Sequence, residues 1–284
     1  MSRWASSRRW ARLCGHTDIE LPSGTLVRQY HRPSSGCLAY MIVADGRAAV
    51  IDPLRVFTEQ YADDAATLGA AVDIVLDTHV HADHVSGLRD LATVTNTTAA
   101  MPAAAAERGM TDADDLRLVA DGDNIAVGSA TLSVRATPGH TTGTATYVVD
   151  GALALAGDTL FLDGVARPDL EAGADGSRAA AEALYDSVHD RLLSLPDDAL
   201  VGAAHHGPET APRADGAYLT TVATLRELPV LSLDRETFID RVASDLPPRP
   251  ANHEAIIETN LGRRSVDDET AFEMELGPNN CAAY

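Results

Sequence analysis

The segment THVHADHVSG, residues 78–87, places three histidines and one aspartate within six consecutive positions. It follows VDIVLD, an apolar run that predicts a short buried strand, and it leads into a helical pattern. In extended backbone, residues two apart face the same side, so the imidazoles of His79 and His81 can reach one point. We expect Asp83 and His84 to fall at the start of the next helix. The spacing therefore predicts a metal site at a strand-to-helix turn.

Three other strand ends carry residues of the same kind. TPGHTTG puts His140 after a Pro-Gly turn, LAGDTLF puts Asp158 after an apolar strand, and VGAAHHG puts His205 and His206 after another. A carboxylate at a buried strand end is costly unless it binds something. Together the four strand ends predict one metal-binding pocket at the edge of a sheet.

Turn and helix signals indicate how the rest of the chain folds. Asp-Gly pairs at 45–46 and 150–151 separate apolar runs, which is the usual signal for a β-hairpin. An amphipathic helix is predicted at 177–195, with Ser177 as its N-cap. Hairpins mixed with βα units favour sheets covered by helices in one domain.

The composition excludes several classes of function. With 42 acidic residues against 22 basic ones, the net charge of −20 disfavours nucleic acid as a partner. No apolar run approaches the roughly 18 residues of a membrane span, so no membrane is expected. The three cysteines are too few and too scattered for a disulfide framework or a cysteine zinc site.

The first 18 residues are expected to be a poorly ordered N-terminal extension. They hold an arginine pair but lack the apolar segment of a twin-arginine signal. We therefore expect a cytoplasmic protein.

The order of these motifs resembles the metallo-β-lactamase superfamily, from about Leu26 to His205. The resemblance implies an αββα sandwich, two mixed sheets flanked by helices, with the site where both sheets end. It predicts a single metallo-β-lactamase-like domain over residues 19–284, including the C-terminal helices. Within the superfamily, GDTLFLDGVARPDL, the opening VRQY and the tail LPPRPANHEAIIETNLG resemble the persulfide dioxygenases.

The resemblance implies one Fe(II) per chain, held by His79, His140 and Asp158. This set is also the two-histidine, one-carboxylate arrangement of oxygen-activating Fe(II) sites. Hydrolytic relatives bind zinc with the same residues, so one or two Zn(II) is the alternative. Four further residues would form a second metal position or orient the ligands: His81, Asp83, His84 and His205.

Substrate contacts are less closely defined by the motifs. Asp83 and His84 are candidates for handling protons, and Arg167 for holding an anionic thiol, although Arg167 could equally bridge to Asp169. Thr141 either orients the site or caps a turn. These enzymes often continue their last histidine as AHDY, whereas this chain reads AHHGPET, so His205 and His206 both stay open as the residue that faces the site.

Three functions follow from this pattern. The first is a dioxygenase that converts a low-molecular-weight thiol persulfide and O₂ to thiol and sulfite. The second is a zinc hydrolase of the glyoxalase II type that cleaves a thioester, although the acidic tail lacks the basic patch expected for a glutathione-like anion. The third is a non-catalytic metal-binding protein of the same fold. A separate rhodanese-type sulfurtransferase and a second copy of the chain are candidate partners.

The charge also predicts a halophilic protein. Every basic residue is an arginine, and 29 of the acids are aspartates. The Debye length is about 30 Å at 0.01 M salt and about 3 Å at 1 M, so carboxylate repulsion spans the surface only in dilute buffer. We expect the melting temperature and the activity to rise steadily as KCl goes from dilute to molar. Equal stability at both extremes would contradict this prediction.

Overall fold

Hairpins and βα units build two mixed sheets in the computed structural model, which describes residues 15–32, 34–244, 246–276 and 281–282. The strands are β1 (Gly15–Glu20), β2 (Leu26–Arg32), β3 (Cys37–Ala44), β4 (Arg47–Ile51), β5 (Ala71–Leu76), β6 (Thr98–Pro102), β7 (Arg117–Val119), β8 (Asn124–Val127), β9 (Ala130–Ala136), β10 (Ala145–Val149), β11 (Leu153–Leu155), β12 (Leu200–Gly202) and β13 (Thr220–Thr221). The α-helices are α1 (Thr58–Thr67), α2 (Leu88–Thr95), α3 (Ala103–Ala106), α4 (Asp169–Asp186), α5 (Val222–Arg226), α6 (Arg235–Ala243), α7 (His253–Asn260) and α8 (Asp268–Met274).

The first sheet has the order β1-β2-β3-β4-β5-β6-β7, and the second has the order β13-β12-β11-β10-β9-β8. In the first sheet β1 to β4 are antiparallel and β4 to β7 are parallel. In the second sheet only β11 and β12 run parallel. Both predicted hairpins are confirmed: Asp45 and Gly46 have φ of 47° and 71°, and Asp150 and Gly151 have 50° and 69°. Positive φ at both central residues is typical of a type I′ turn. Two residues separate the paired Ala44 and Arg47 in the first hairpin, and three separate Val149 and Leu153 in the second.

The two sheets pack face to face, and helices cover their outer faces. The core between the sheets joins Tyr40 and Ile42 of β3 to Tyr147 of β10, all of them buried. Behind the first sheet lie Tyr61 of α1 and Leu91 of α2. The second sheet is covered by α4 and α6 in the same way. The expected αββα sandwich is confirmed.

The predicted start of the helix at 177 is wrong. α4 begins at Asp169, and Ser177 lies inside it with its hydroxyl donating to the carbonyl of Ala174 at 2.9 Å. Gly173, with φ 68° and ψ −177°, interrupts the helical backbone. The turns before this kink therefore do not continue the apolar face of the later turns, and the sequence pattern does not predict them. The helix continues into a π-helical turn at Ser187–Leu192. The apolar face predicted for it is buried: Leu184, Val188, Leu192 and Leu195.

The predicted boundary between residues 18 and 19 falls inside β1, where Gly15 pairs with His31 of β2. Most of the predicted N-terminal extension, residues 1–14, lies outside the described residues. Within the part of the chain that the structure describes, no helix is long and apolar enough to cross a membrane.

Candidate metal centre

Three predicted ligands meet at the edge where β5, β9 and β11 end. The Nε2 atoms of His79 and His140 lie 3.7 Å and 3.5 Å from Oδ2 of Asp158. All three side chains are buried, and among the described residues none of these three atoms has a hydrogen-bond partner. Buried polar atoms are normally paired, and a cation at this point would satisfy all three. Two imidazoles and a carboxylate fit a divalent transition-metal ion.

Thr78 fixes the orientation of His79. The Thr78 hydroxyl donates to Oδ2 of Asp52 at 3.0 Å, so its oxygen accepts the bond from Nδ1–H of His79 at 2.9 Å. The other ring nitrogen, Nε2, therefore directs a lone pair toward Asp158. Burial holds the pKa of His79 well below its ordinary value, which keeps the ring neutral and able to bind a metal.

Asp52 organises this side of the site, although it was not among the residues predicted from the sequence. It follows β4 with a left-handed φ of 52° and accepts the backbone N–H of Thr78 at 2.7 Å. Nε2 of His81 lies 3.1 Å from Oδ1 of Asp52, so the ring of His81 faces this carboxylate instead of Asp158. The signal was present in VIDP, where an acid follows an apolar strand just as Asp158 does.

Arg167 positions His140 through its backbone. Its carbonyl oxygen accepts the bond from Nδ1–H of His140 at 3.0 Å, which leaves Nε2 facing the metal position. The guanidinium is buried: Nε and Nη2 donate to Asp169 at 2.8 Å and 3.2 Å, and Nη1 donates to the carbonyl of Pro248 at 3.0 Å. The bridge to Asp169 is thus present, and contact between Arg167 and a thiol substrate stays a prediction.

Asp158 reaches the site because the turn before it is built on glycine. Gly157 has φ 54°, and a Cβ there would lie 2.5 Å from Oγ1 of Thr78. Burial opposes ionisation of Asp158, but His205 and the other nearby imidazoles outweigh it and hold the carboxyl pKa below its ordinary range. The carboxylate is therefore anionic and suited to a cation.

The prediction that Asp83 and His84 begin a helix is wrong. They lie in a loop, and α2 begins at Leu88. The backbone groups that a helix would use are bonded to other segments; for example, Oε1 of Glu275 accepts the amide of Val85 at 2.8 Å. The C-terminal helices therefore shape this loop, and no local sequence pattern reveals that.

Asn260, at the end of α7, makes three hydrogen bonds to the same loop. Its Nδ2 donates to the carbonyls of His81 and His84, both at 2.9 Å, and its Oδ1 accepts the amide of Ser86 at 2.9 Å. The Asn260 side chain thereby fixes the backbone on both sides of Asp83.

Removing Asn260 tests this role. We expect Asn260→Ala to weaken metal binding by about 10–100-fold, the usual loss when a group that orients ligands is removed. The measurement is metal transfer to a competing chelator, with Asn124→Ala on the exposed β8 as the control. Unchanged metal affinity in Asn260→Ala would contradict the role.

The four remaining predicted ligands lie beside the first three: His81, Asp83, His84 and His205. Nδ1 of His205 is 3.0 Å from Oδ1 of Asp158, on the other side of that carboxylate. Nδ1 of His84 lies 3.2 Å from Oδ1 of Asp83. Burial alone would lower the pKa of His84, but the Asp83 carboxylate raises it well above its ordinary value. His84 and Asp83 therefore form a close, mutually stabilising pair.

The structure separates His205 from His206. His205 faces Asp158, whereas the ring of His206 stacks on Tyr218 with centroids 3.8 Å apart.

Oγ1 of Thr141 lies 2.8 Å from Oγ1 of Thr144, so Thr141 closes the turn after His140.

Two thiols also lie at the site, although neither was predicted to have a role there. Sγ of Cys37 is 3.5 Å from Oδ2 of Asp83. Cys281 is buried and has its sulfur within 4.8 Å of ligand atoms of Asp158 and His205. Cys37 and Cys281 lie far from most other residues of the site in the sequence, and the tertiary fold brings them close to it.

Comparison with known proteins shows the family to which the chain belongs. The sequence profile described as the metallo-beta-lactamase superfamily matches residues 33–205. The chain belongs to this superfamily. The motif histidines and Asp158 lie within the matched region, and Cys281 lies outside it.

Within the superfamily, the chain is similar to persulfide dioxygenases. It is 32% identical to "Persulfide dioxygenase ETHE1, mitochondrial" from Bos taurus over 257 residues, which cover 88% of this chain and 92% of that protein. A crystal structure of ETHE1 from Myxococcus xanthus is similar with a TM-score of 0.71 and 29% identity, covering 84% of this chain and 99% of that one. A hydroxyacylglutathione hydrolase from Brucella anthropi is 31% identical, covering 78% of this chain and 86% of that protein.

Proposed function

We propose that this superfamily member is an Fe(II)-dependent persulfide dioxygenase. The reaction takes one thiol persulfide, one O₂ and one water to the thiol, sulfite and two protons. The observation that carries the proposal is the convergence of two imidazole Nε2 atoms and one carboxylate oxygen at a buried point. A two-histidine, one-carboxylate set with open positions suits non-haem Fe(II). Similarity to persulfide dioxygenases over most of both chains supports the substrate class.

The residues of the site account for binding of an anionic substrate. When bound, Fe(II) supplies the redox chemistry and leaves positions open for O₂ and the persulfide. His79 and His140 are neutral, and Asp158 contributes one negative charge, so a divalent ion keeps a net positive charge here. With such an ion bound, that charge would attract a persulfide anion to this buried position. We assign proton transfer toward the departing thiolate to the paired side chains of His84 and Asp83.

A zinc hydrolase of the glyoxalase II type is the second candidate. Similarity to a hydroxyacylglutathione hydrolase favours it, as does the second group of ligand-type residues beside Asp158. That reaction would use a hydroxide activated by zinc, and it consumes no oxygen.

The remaining assignments follow from the proposed reaction. The partners would be a low-molecular-weight thiol persulfide and O₂, with a separate rhodanese-type sulfurtransferase as a source of persulfide sulfur. A cytoplasmic location, a homo-oligomeric state and adaptation to high salt stay predictions.

An assay with both substrate classes tests the proposal. Protein purified without air is supplied with persulfides of several thiols, and O₂ uptake and sulfite are recorded. The same preparation is then given a glutathione thioester. We expect O₂ uptake that requires persulfide and yields sulfite, whereas thioester cleavage without O₂ uptake would favour the hydrolase.

A further inference from the structure

The C-terminal segment brings a thiol into the metal centre. The backbone N–H of Arg167 donates to the carbonyl of Cys281 at 2.9 Å, and Ala282 pairs with Ala166 in an antiparallel bridge. The side chain of Cys281 is fully buried, and its sulfur lies within 4.8 Å of an oxygen of Asp158. A sulfur atom of the protein therefore lies beside the carboxylate of the candidate metal ligands.

The three candidate ligands beside this thiol are themselves buried. His79 and Asp158 are 0% exposed, and His140 is 1% exposed. A low-molecular-weight persulfide would have to bring the carbon part of its thiol to this buried point. A sulfur bonded to Cys281 would already lie there.

His205 gives an independent indication of a ligand next to Cys281. It is 3% exposed, and one of its ring nitrogens lies within 4.8 Å of the Cys281 sulfur. Its Nε2 atom has no hydrogen-bond partner among the described residues, although buried polar atoms are normally paired. A sulfur–sulfur bond is about 2 Å long, so a second sulfur on Cys281 would lie in the gap between Sγ and the side chains of His205 and Asp158.

We propose that Cys281 carries sulfur for the reaction: its thiol takes the outer sulfur of a low-molecular-weight persulfide and presents it at the metal centre. The inference rests on the proposed persulfide substrate and adds the residue that delivers the sulfur.

The transfer to Cys281 is a thiol–persulfide exchange. The Cys281 thiolate attacks the outer sulfur of R–S–SH, the sulfur–sulfur bond of the donor breaks, and a new one forms at Cys281. The leaving thiolate takes up the proton that Cys281 lost and departs as R–SH. In the second step Cys281–S–SH, O₂ and one water give the Cys281 thiol, sulfite and two protons, with O₂ accepting four electrons.

Loading of Cys281 takes place away from the buried ligands. The contacts of residues 281–282 with Ala166 and Arg167 can break in a local opening, which costs much less free energy than unfolding of the domain. The loaded side chain then returns to its place beside Asp158. The carbon part of the donor therefore does not have to reach the metal position.

Mass spectrometry of the metal-free, full-length protein tests the transfer step in the absence of O₂. The protein is mixed with glutathione persulfide, alkylated and digested, and the extra sulfur is assigned to individual cysteines. We expect at least about ten-fold higher occupancy on Cys281 than on Cys37, which is the other buried thiol.

The second step is tested on protein loaded in this way, freed of donor and supplied with one Fe(II) per chain. Admission of O₂ should release one sulfite for each persulfide carried and return Cys281 to the thiol. In steady state, Cys281→Ser and Cys281→Ala should lose at least about ten-fold in the rate of sulfite formation. Cys14→Ser is the control, and it should keep both the loading of Cys281 and the wild-type rate.

The rates are compared at equal iron content, which also shows that the variants are folded. Sulfur on Cys281 with no sulfite from any variant would remove the dioxygenase reaction and leave the sulfur carrier in place. The carrier role is overturned if the extra sulfur is no more abundant on Cys281 than on Cys37. It is also overturned if Cys281→Ser forms sulfite as fast as the wild type or faster.

Discussion

Asp158→Ala should abolish stable metal binding. Its carboxylate is the anion shared by His79 and His140, and without it two neutral imidazoles remain. The loss should exceed the roughly 10–100-fold effect of removing a group that only orients a ligand. Elemental analysis after gel filtration measures the retained metal, and His140→Ala should behave in the same way.

Metal loss must be separated from loss of the fold. Asp197→Ala is a matched control, because this aspartate has a side chain that is 77% exposed. Its metal content should equal that of the wild type. Circular dichroism should show a folded Asp158→Ala protein, since the backbone turn depends on Gly157 and not on the carboxylate. Full metal occupancy in Asp158→Ala would remove Asp158 from the ligand set.

Arg32→Met should lower the free energy of unfolding by about 3–5 kcal/mol, the cost of leaving a buried charge without its partner. Arg32 forms an ion pair with Glu275, and both side chains are 0% exposed. The guanidinium also lies 4.7 Å from the ring centroid of Phe272. Glu275 still accepts the amide of Val85 and therefore stays buried in the variant. Urea unfolding measures the change.

The pH dependence identifies the cause of that loss. Burial raises the pKa of Glu275, and Arg32 opposes the rise, so removing Arg32 raises it further. A carboxyl with a higher pKa in the folded state than in the unfolded state favours folding as the pH falls. The deficit of Arg32→Met should therefore shrink in acid and grow toward neutral pH.

Two further variants act as controls for Arg32→Met. Adding Glu275→Gln should recover part of the stability at neutral pH. Arg178→Met removes an arginine paired with Glu236 and Asp240 at the surface, where the loss should be small. A deficit as small in Arg32→Met as in Arg178→Met would contradict the account.

The positions of the candidate ligands were predictable from the sequence because each follows an apolar strand. Strand ends of packed sheets meet at one edge, so His79, His140, Asp158 and His205 were brought together by the fold that their own motifs indicated. The Asp-Gly hairpins were predictable for a similar reason, since the geometry of each turn depends on two adjacent residues.

What the sequence did not reveal depends on distant segments. Asn260 and Glu275, nearly 200 residues later in the chain, shape the loop that carries Asp83. The local sequence pattern, which contains no information on these contacts, predicted a helix instead. Cys281 reaches Asp158 through a chain segment with no recognisable motif. Asp52 is different, because its position after an apolar strand is a local signal of the same kind as that of Asp158.

Metal reconstitution tests whether Fe(II) at this site is what allows O₂ to oxidise a persulfide. Metal-free protein is reconstituted without air with graded amounts of Fe(II) or Zn(II), and persulfide-dependent O₂ uptake is plotted against metal bound. We expect a rate of O₂ uptake that rises in proportion to iron up to one ion per chain and stays at zero with zinc. Thioester hydrolysis with two zinc ions, and no O₂ uptake at full iron occupancy, would contradict it.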